Sequence, residues 1–231
     1  MYPNVQAYDR GVMFNPDGRL FQVEYAKEAV RKGATSIGIT TGDSVVFVAH
    51  KNVGEPLAVP STIQKVFKID THIGATYSGM VADGLHIIDI GRSTAQNHKM
   101  VFDDRKSVES LAKQISSYMM QATQYGGMRP YAISALLGGV DDIPRLYEIE
   151  PGASFLGYKA DAIGMGKKLA TEILVKEYKE DMDLDDAIGL GIKIIKKASE
   201  SPVSPDNIEI GYVQDSKEFT ILAPEKLKQY L

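Results

Sequence analysis

The chain has 231 residues, 44% of them hydrophobic, which is enough apolar material for a sizeable core. Its 26 basic and 30 acidic residues are well mixed and leave a net charge of -4, with no basic tract of the kind nucleic-acid binding requires. Cysteine is absent, which excludes disulfides and thiolate metal sites. The sequence does not open on a charged start followed by an apolar stretch, so no signal peptide is expected. The longest apolar runs, residues 45–49 and 131–140, fall far short of a membrane span. A soluble cytoplasmic protein is therefore expected, with neither membrane nor nucleic acid as partner. His50, His72, His86 and His98 do not pair with other ligand-type residues at metal spacing, and no metal or cofactor is expected.

In chain order, Asn15-Pro16-Asp17-Gly18 is a turn signal, because proline presets φ and glycine tolerates positive φ. A helix is predicted over residues 20–31, stopped by Gly33. Leu20, Val23, Val30 and neighbouring alanines form its apolar stripe, while Phe21 and Tyr25, four apart, share another part of its surface. A helix apolar on more than one face requires more than one neighbour. Residues 35–41 and 44–49, joined through Gly42-Asp43, read as a hairpin, and residues 63–69 with 73–78 as a second antiparallel pair.

Two helices follow. The first places Val81, Leu85, Ile88 and Ala95 on one face. The second repeats Val108, Leu111, Ala112, Ile115, Tyr118, Met119 and Ala122 at steps of three and four, and Gly126-Gly127 stops it. Strands resume at residues 131–140, 145–150 and 154–163. A helix covers residues 167–179, and another starts at Asp183 as N-cap with Asp186 at its third position. Strands at 208–213 and 218–222 and a helix at 224–230 close the chain. This order of strands, two helices, strands, two helices, strands suits two antiparallel sheets with helices outside both. No linker composition or internal repeat divides it, so a single domain is expected over residues 1–231.

Residues 8–30, Tyr8-Asp9-Arg10-Gly11-Val12-Met13-Phe14-Asn15-Pro16-Asp17-Gly18-Arg19-Leu20-Phe21-Gln22-Val23-Glu24-Tyr25-Ala26-Lys27-Glu28-Ala29-Val30, closely resemble the signature of proteasome α-subunits. Gln124-Tyr125-Gly126-Gly127-Met128-Arg129-Pro130-Tyr131 and Ser78-Gly79-Met80-Val81-Ala82-Asp83 support the resemblance, which runs from Tyr8 to the C-terminal helix and is nearest to the archaeal type. Asn15 stands where many members carry serine and keeps the turn chemistry. The resemblance implies an α+β fold: the four-layer αββα sandwich of N-terminal-nucleophile hydrolases, here over residues 34–231. Residues 1–33 would add a gate tail and an extra helix.

A threonine hydrolase of that class needs a threonine with a free α-amine as base and a lysine beside it. Aligned with catalytic relatives, the nucleophile position falls on Ala34, the second-strand acidic position on His50, the lysine on Lys65 and a catalytic-side serine on Met165. Three of four groups are replaced, so no catalytic residue is expected. A rival reading has Thr35 released as an N-terminal nucleophile. It requires a one-residue shift that would turn every side chain of the strand to the other face. A third reading, a stand-alone binding domain, conflicts with the surplus apolar surface of the extra helix.

The resemblance further implies a ring of seven copies on a catalytic double ring of β-subunits, with residues 1–7 at the axial opening through which unfolded polypeptides pass. Tyr8, Asp9, Pro16 and Tyr25 match the family's gate cluster. Gly33, Lys65, Gly79 and Met80 match its pocket for the C-terminal tails of ATPase activators. There, lysine would meet a terminal carboxylate, the glycines would admit a close backbone, and Met80 would give an adaptable wall. Gly164-Met165-Gly166-Lys167-Lys168 departs from a phosphate loop, with Asp161 at its first glycine position. Asp181, Asp183 and Asp185 depart from a calcium loop at Asp186 and Ile192. Neither carries a ligand expectation.

Overall fold

The computed structural model describes residues 13–53, 57–199 and 202–231. Helix α1 (Phe21–Arg31) comes first, then strands β1 (Ser36–Thr40), β2 (Ser44–His50), β3 (Val66–Asp70) and β4 (Ile73–Gly79). Helices α2 (Val81–Phe102) and α3 (Val108–Gln124) lead to β5 (Ile133–Val140), β6 (Pro144–Ile149), β7 (Phe155–Gly157) and β8 (Ala160–Ile163). Helices α4 (Lys167–Glu177) and α5 (Leu184–Ala198), strands β9 (Ile208–Gln214) and β10 (Thr220–Ile221) and helix α6 (Pro224–Leu227) complete the order. No helix among the described residues is long and apolar enough to cross a membrane.

The strands form two antiparallel sheets, β10-β9-β2-β1-β8 and β3-β4-β5-β6-β7. The period-two alternation of β2 assigns its two faces. Val45, Phe47 and Ala49 enter the layer between the sheets, with Leu136, Leu146, Ile163 and Phe219. Val46 and Val48 point the other way, under Ile188, Ile192 and Ile195 of α5. On the outer face of the second sheet, Ile87 and Ile88 of α2 and Leu111, Ile115 and Met119 of α3 cover Tyr77, Ile133 and Leu137. The result is the four-layer αββα arrangement of the N-terminal-nucleophile hydrolases, with α1 as an additional helix.

Most predicted elements stand within a few residues, and three local differences have identifiable causes. The strand predicted from Ile63 starts at Val66, because the Lys65 and Val66 N–H groups both donate to the Glu209 carboxylate, at 2.6 and 2.7 Å. The single strand expected over residues 154–163 is two strands in different sheets. Tyr158 N–H still bonds Leu146 of the second sheet, whereas the Lys159 carbonyl already accepts from Thr40 of the first. On α2 the buried face runs through Gly84, Ile87, Ile88, Gly91 and Ala95, leaving Val81 and Leu85 exposed. Gly84 lies so close to the Tyr77 ring that a side chain there would overlap it. This close approach fixes the helix rotation.

Helix α1 buries Val23, Ala26 and Val30 and turns Tyr25 outward, stacked on Phe21 with ring centroids 6.0 Å apart. The turn before it forms as expected. Gly18, at φ +75°, donates to the Asn15 carbonyl, and the Asn15 side chain accepts from the N–H groups of Asp17 and Arg19. The N-caps Ser107 and Asp183 receive Ser110 and Asp186 N–H, so α3 and α5 start where their sequences place them.

Candidate functional site

The C-terminal end of β4 gathers the residues expected for tail binding. Lys65 is buried. Its Nζ donates to the Tyr77 carbonyl at 2.7 Å and lies 4.4 Å from the centre of the Tyr77 ring. Two residues on, Gly79 has φ +119°, a conformation that favours glycine. Gly33, just past the end of α1, packs so tightly on this strand end that a Cβ would sit 2.5 Å from the Gly79 nitrogen. Met80 follows, half exposed, with its N–H on the Ala132 carbonyl. The helix terminus, the buried ammonium, the two glycines and Met80 therefore meet at one corner.

Electrostatics at this corner depend on burial. Loss of hydration lowers the Lys65 pKa to about 8, with the Glu209 charge pulling it part of the way back. Burial also lowers His50, and the Lys65 charge adds to the effect. The Tyr77 phenol is pushed up to about 12 by its own burial.

A cavity of about 160 Å³ adjoins the corner and is lined by Lys32, Ala34, Thr35, His50, Met165 and Ser199, among others. The structure thus brings the aligned positions of Ala34, His50 and Met165 to one place. Ala34 has no hydroxyl to offer there. Thr35 is buried, and its Oγ1 accepts from Gly166 N–H at 2.9 Å. The chain before Ala34 is held as well, since Ser78 Oγ donates to the Val30 carbonyl at 3.3 Å and Gly33 N–H bonds the same carbonyl. His50 Nε2 lies 3.3 Å from Ser199 Oγ.

The family model described as "Proteasome subunit" matches residues 30–213, and the model of the N-terminal signature of A-type proteasome subunits matches residues 8–29. The chain belongs to the proteasome α-subunit family. Among its relatives is a proteasome α-subunit of Archaeoglobus fulgidus, 48% identical over 97% of this chain and 92% of that protein. Those of Methanosarcina barkeri and Methanobrevibacter smithii are 43% and 40% identical, each over 97% of this chain and 91% of theirs.

Of the expected gate residues, Pro16 sits exposed in the turn before α1 and Tyr25 is exposed on the helix, while Tyr8 and Asp9 lie outside the described residues. Sequence reasoning assigned no role to Asp83 or Arg129, 46 positions apart. Asp83 is buried and accepts two hydrogen bonds from Arg129, at 2.6 and 2.7 Å, and a third from Ala132 N–H at 2.9 Å. Arg129 Nη2 also reaches the Met80 sulfur at 3.3 Å, so this pair buttresses the expected Met80 wall. The hydrogen bonds from Arg129 hold the Asp83 carboxyl below its ordinary range. Asp83→Asn is expected to cost only about 1 kcal/mol at neutral pH, because Arg129 is largely solvent-exposed. A depressed carboxylate stabilises the fold above its unfolded pKa and loses that contribution on acidification. The deficit of the variant should therefore shrink in acid unfolding experiments, and a pH-independent deficit would contradict the assignment.

Sequence reasoning also missed a buried acidic pair. Glu148 of β6 and Asp161 of β8 are both buried, one from each sheet, and Lys167 at the start of α4 serves both. Its Nζ bonds both Glu148 oxygens at 2.8 Å and stands 3.7 Å from Asp161 Oδ2, and Ser134 Oγ donates to Glu148 at 3.3 Å. The available signal was parity: Glu148 shares its strand face with Leu146.

Proposed function

We propose that this chain is a non-catalytic α-subunit of a proteasome core particle, working in the cytoplasm. Seven copies form an outer ring on the β-subunits, and the ring controls the passage of unfolded polypeptides to the proteolytic chamber. Tyr8, Asp9, Pro16 and Tyr25 hold the gate tail. Gly33, Lys65, Gly79 and Met80 receive the C-terminal tails of ATPase activators. Residues 1–231 act as one domain, with residues 1–33 as the gate and helix extension. The observation that carries the reading is the α1–β1 junction. Where a catalytic relative would present a threonine with a free amine, this chain has Ala34 inside a continuous, packed backbone. The tail pocket is supported by the meeting of its four residues at the end of β4.

Removing residues 1–7 tests the gate. In core particles assembled with β-subunits, the deletion should raise unstimulated hydrolysis of peptides several-fold, and an unchanged rate would mean that this tail is no barrier. Native mass spectrometry of the same particles tests the rest, with full-length chains in sevenfold rings expected. A chain shortened by 34 residues would instead return Thr35 as an N-terminal nucleophile.

A further inference from the structure

The cavity of about 160 Å³ beside the α1–β1 junction is separate from the tail corner: Gly33, Lys65, Gly79 and Met80 are not among the residues that line it. Its volume is close to the roughly 150 Å³ that admits benzene in a protein interior. Part of the lining is apolar, made by Ala34 ahead of β1, Met165 in the turn before α4, and Ile195 and Ala198 of α5. The rest carries Thr35, His50 and Ser199, with the exposed Lys32 and Asn52. Apolar surface with a few convergent polar groups is what a small-molecule site requires.

The inner polar groups are neutral and keep bonding capacity. Burial lowers the His50 pKa and the Lys65 charge lowers it further, so the ring is held uncharged at neutral pH. Its Nε2 is engaged with Ser199 Oγ at 3.3 Å, while its Nδ1 has no hydrogen-bond partner among the described residues. The Thr35 hydroxyl accepts from Gly166 N–H at 2.9 Å and retains a proton to donate and a second lone pair. No carboxylate lines the cavity among the described residues, so a cation entering it would meet the Lys65 charge with nothing to offset it. An anion would give up its hydration beside a neutral imidazole. The Lys65 charge is already partly balanced by Glu209, and exposed Lys32 is a weak partner in water.

We propose that this cavity is a binding site for a small uncharged ligand, a carboxamide on a flat apolar body. The body lies against Ala34, Met165, Ile195 and Ala198, where the methionine sulfur suits a ring. The amide, which both donates and accepts, pairs with His50 and Thr35. An occupant also bears on the α1–β1 junction, because Met165 N–H bonds the Gly33 carbonyl at 2.9 Å.

Benzamide, benzoate and benzamidine share one shape and differ in charge at about pH 7, which makes them the probes for titration of the full-length protein by NMR. Benzamide should bind with a dissociation constant in the millimolar range, at least about fivefold more tightly than either charged analogue. Ala198→Leu, which fills the cavity from a helix end, should abolish benzamide binding, and His50→Leu should weaken it about tenfold. Melting curves establish that both variants are folded, and the comparison of the three probes needs neither. Failure of benzamide to bind, or binding undiminished in folded Ala198→Leu, would overturn the site. Benzoate or benzamidine binding as tightly as benzamide would overturn the uncharged ligand class.

Discussion

Replacing Gly79 with alanine should cost roughly 3 kcal/mol and lower the melting temperature by about 6–12 °C. Two effects add. At φ +119° an L side chain is strained wherever it points. In addition, the new Cβ would overlap the Ala132 carbonyl oxygen and approach Ile133 Cα at 3.0 Å. These are backbone atoms of Ala132, just before β5, and of Ile133, its first residue, which pairs with Gly79, and they cannot yield as a side-chain tip would. The Ala132 carbonyl also accepts from Met80 N–H, so any shift there disturbs the start of α2. Gly126→Ala is the matched control: no atom lies within 4 Å of where its Cβ would stand, and its φ is not in the positive region. Thermal unfolding of the two variants decides the matter. Similar melting temperatures would show that the β4 corner relaxes freely, contrary to the packing described.

The same corner shows what a sequence can and cannot reveal. Gly33, Lys65, Gly79 and Met80 are readable as candidates through resemblance, since each is a single position matched to the family's pattern. That all four converge on one strand end depends on a pairing 12 residues apart, between Lys65 and the Tyr77 carbonyl, and on the contact of the α1 terminus with β4. Helix α3 is legible because its whole apolar period faces one sheet. Helix α2 is harder to orient, because its buried face is made of glycines as much as isoleucines. Hydrophobic periodicity follows large side chains and overlooks the positions where small ones permit contact.

Strand ends are hard to place for a related reason. Periodicity continues through Ile63 and across residues 158–159, yet hydrogen-bond partners change there. Glu209, far along the chain, takes two N–H groups that a neighbouring strand would otherwise have used. Charged residues within strands are the least legible. Glu148 and Asp161 look like solvated positions until the two sheets close on them.

That buried pair should give the protein a distinctive dependence on pH. Burial, reinforced by the Asp161 charge, pushes Glu148 up to about 7, and the hydrogen bond from Lys167 only partly opposes this. A carboxyl group raised above its unfolded value binds its proton more tightly in the folded state. Its stabilising contribution is complete below the unfolded pKa and is lost as pH rises through the folded one. Stability should therefore decline by about 2 kcal/mol between about pH 5 and about pH 8, which is roughly 4–8 °C in melting temperature. Glu148→Gln leaves nothing to titrate at that position, so its profile should be nearly flat over the same range. Lys167→Met should act in the opposite sense. It leaves two buried carboxyl groups without their cation, at a cost of about 3 kcal/mol at about pH 8, the low end for a broken buried pair because the Lys167 side chain is partly open to water. At about pH 5, where Glu148 holds its proton, that cost should fall well below its alkaline value. Melting curves of the three proteins across this range provide the test, and parallel profiles would mean that Glu148 and Asp161 do not interact as their geometry requires.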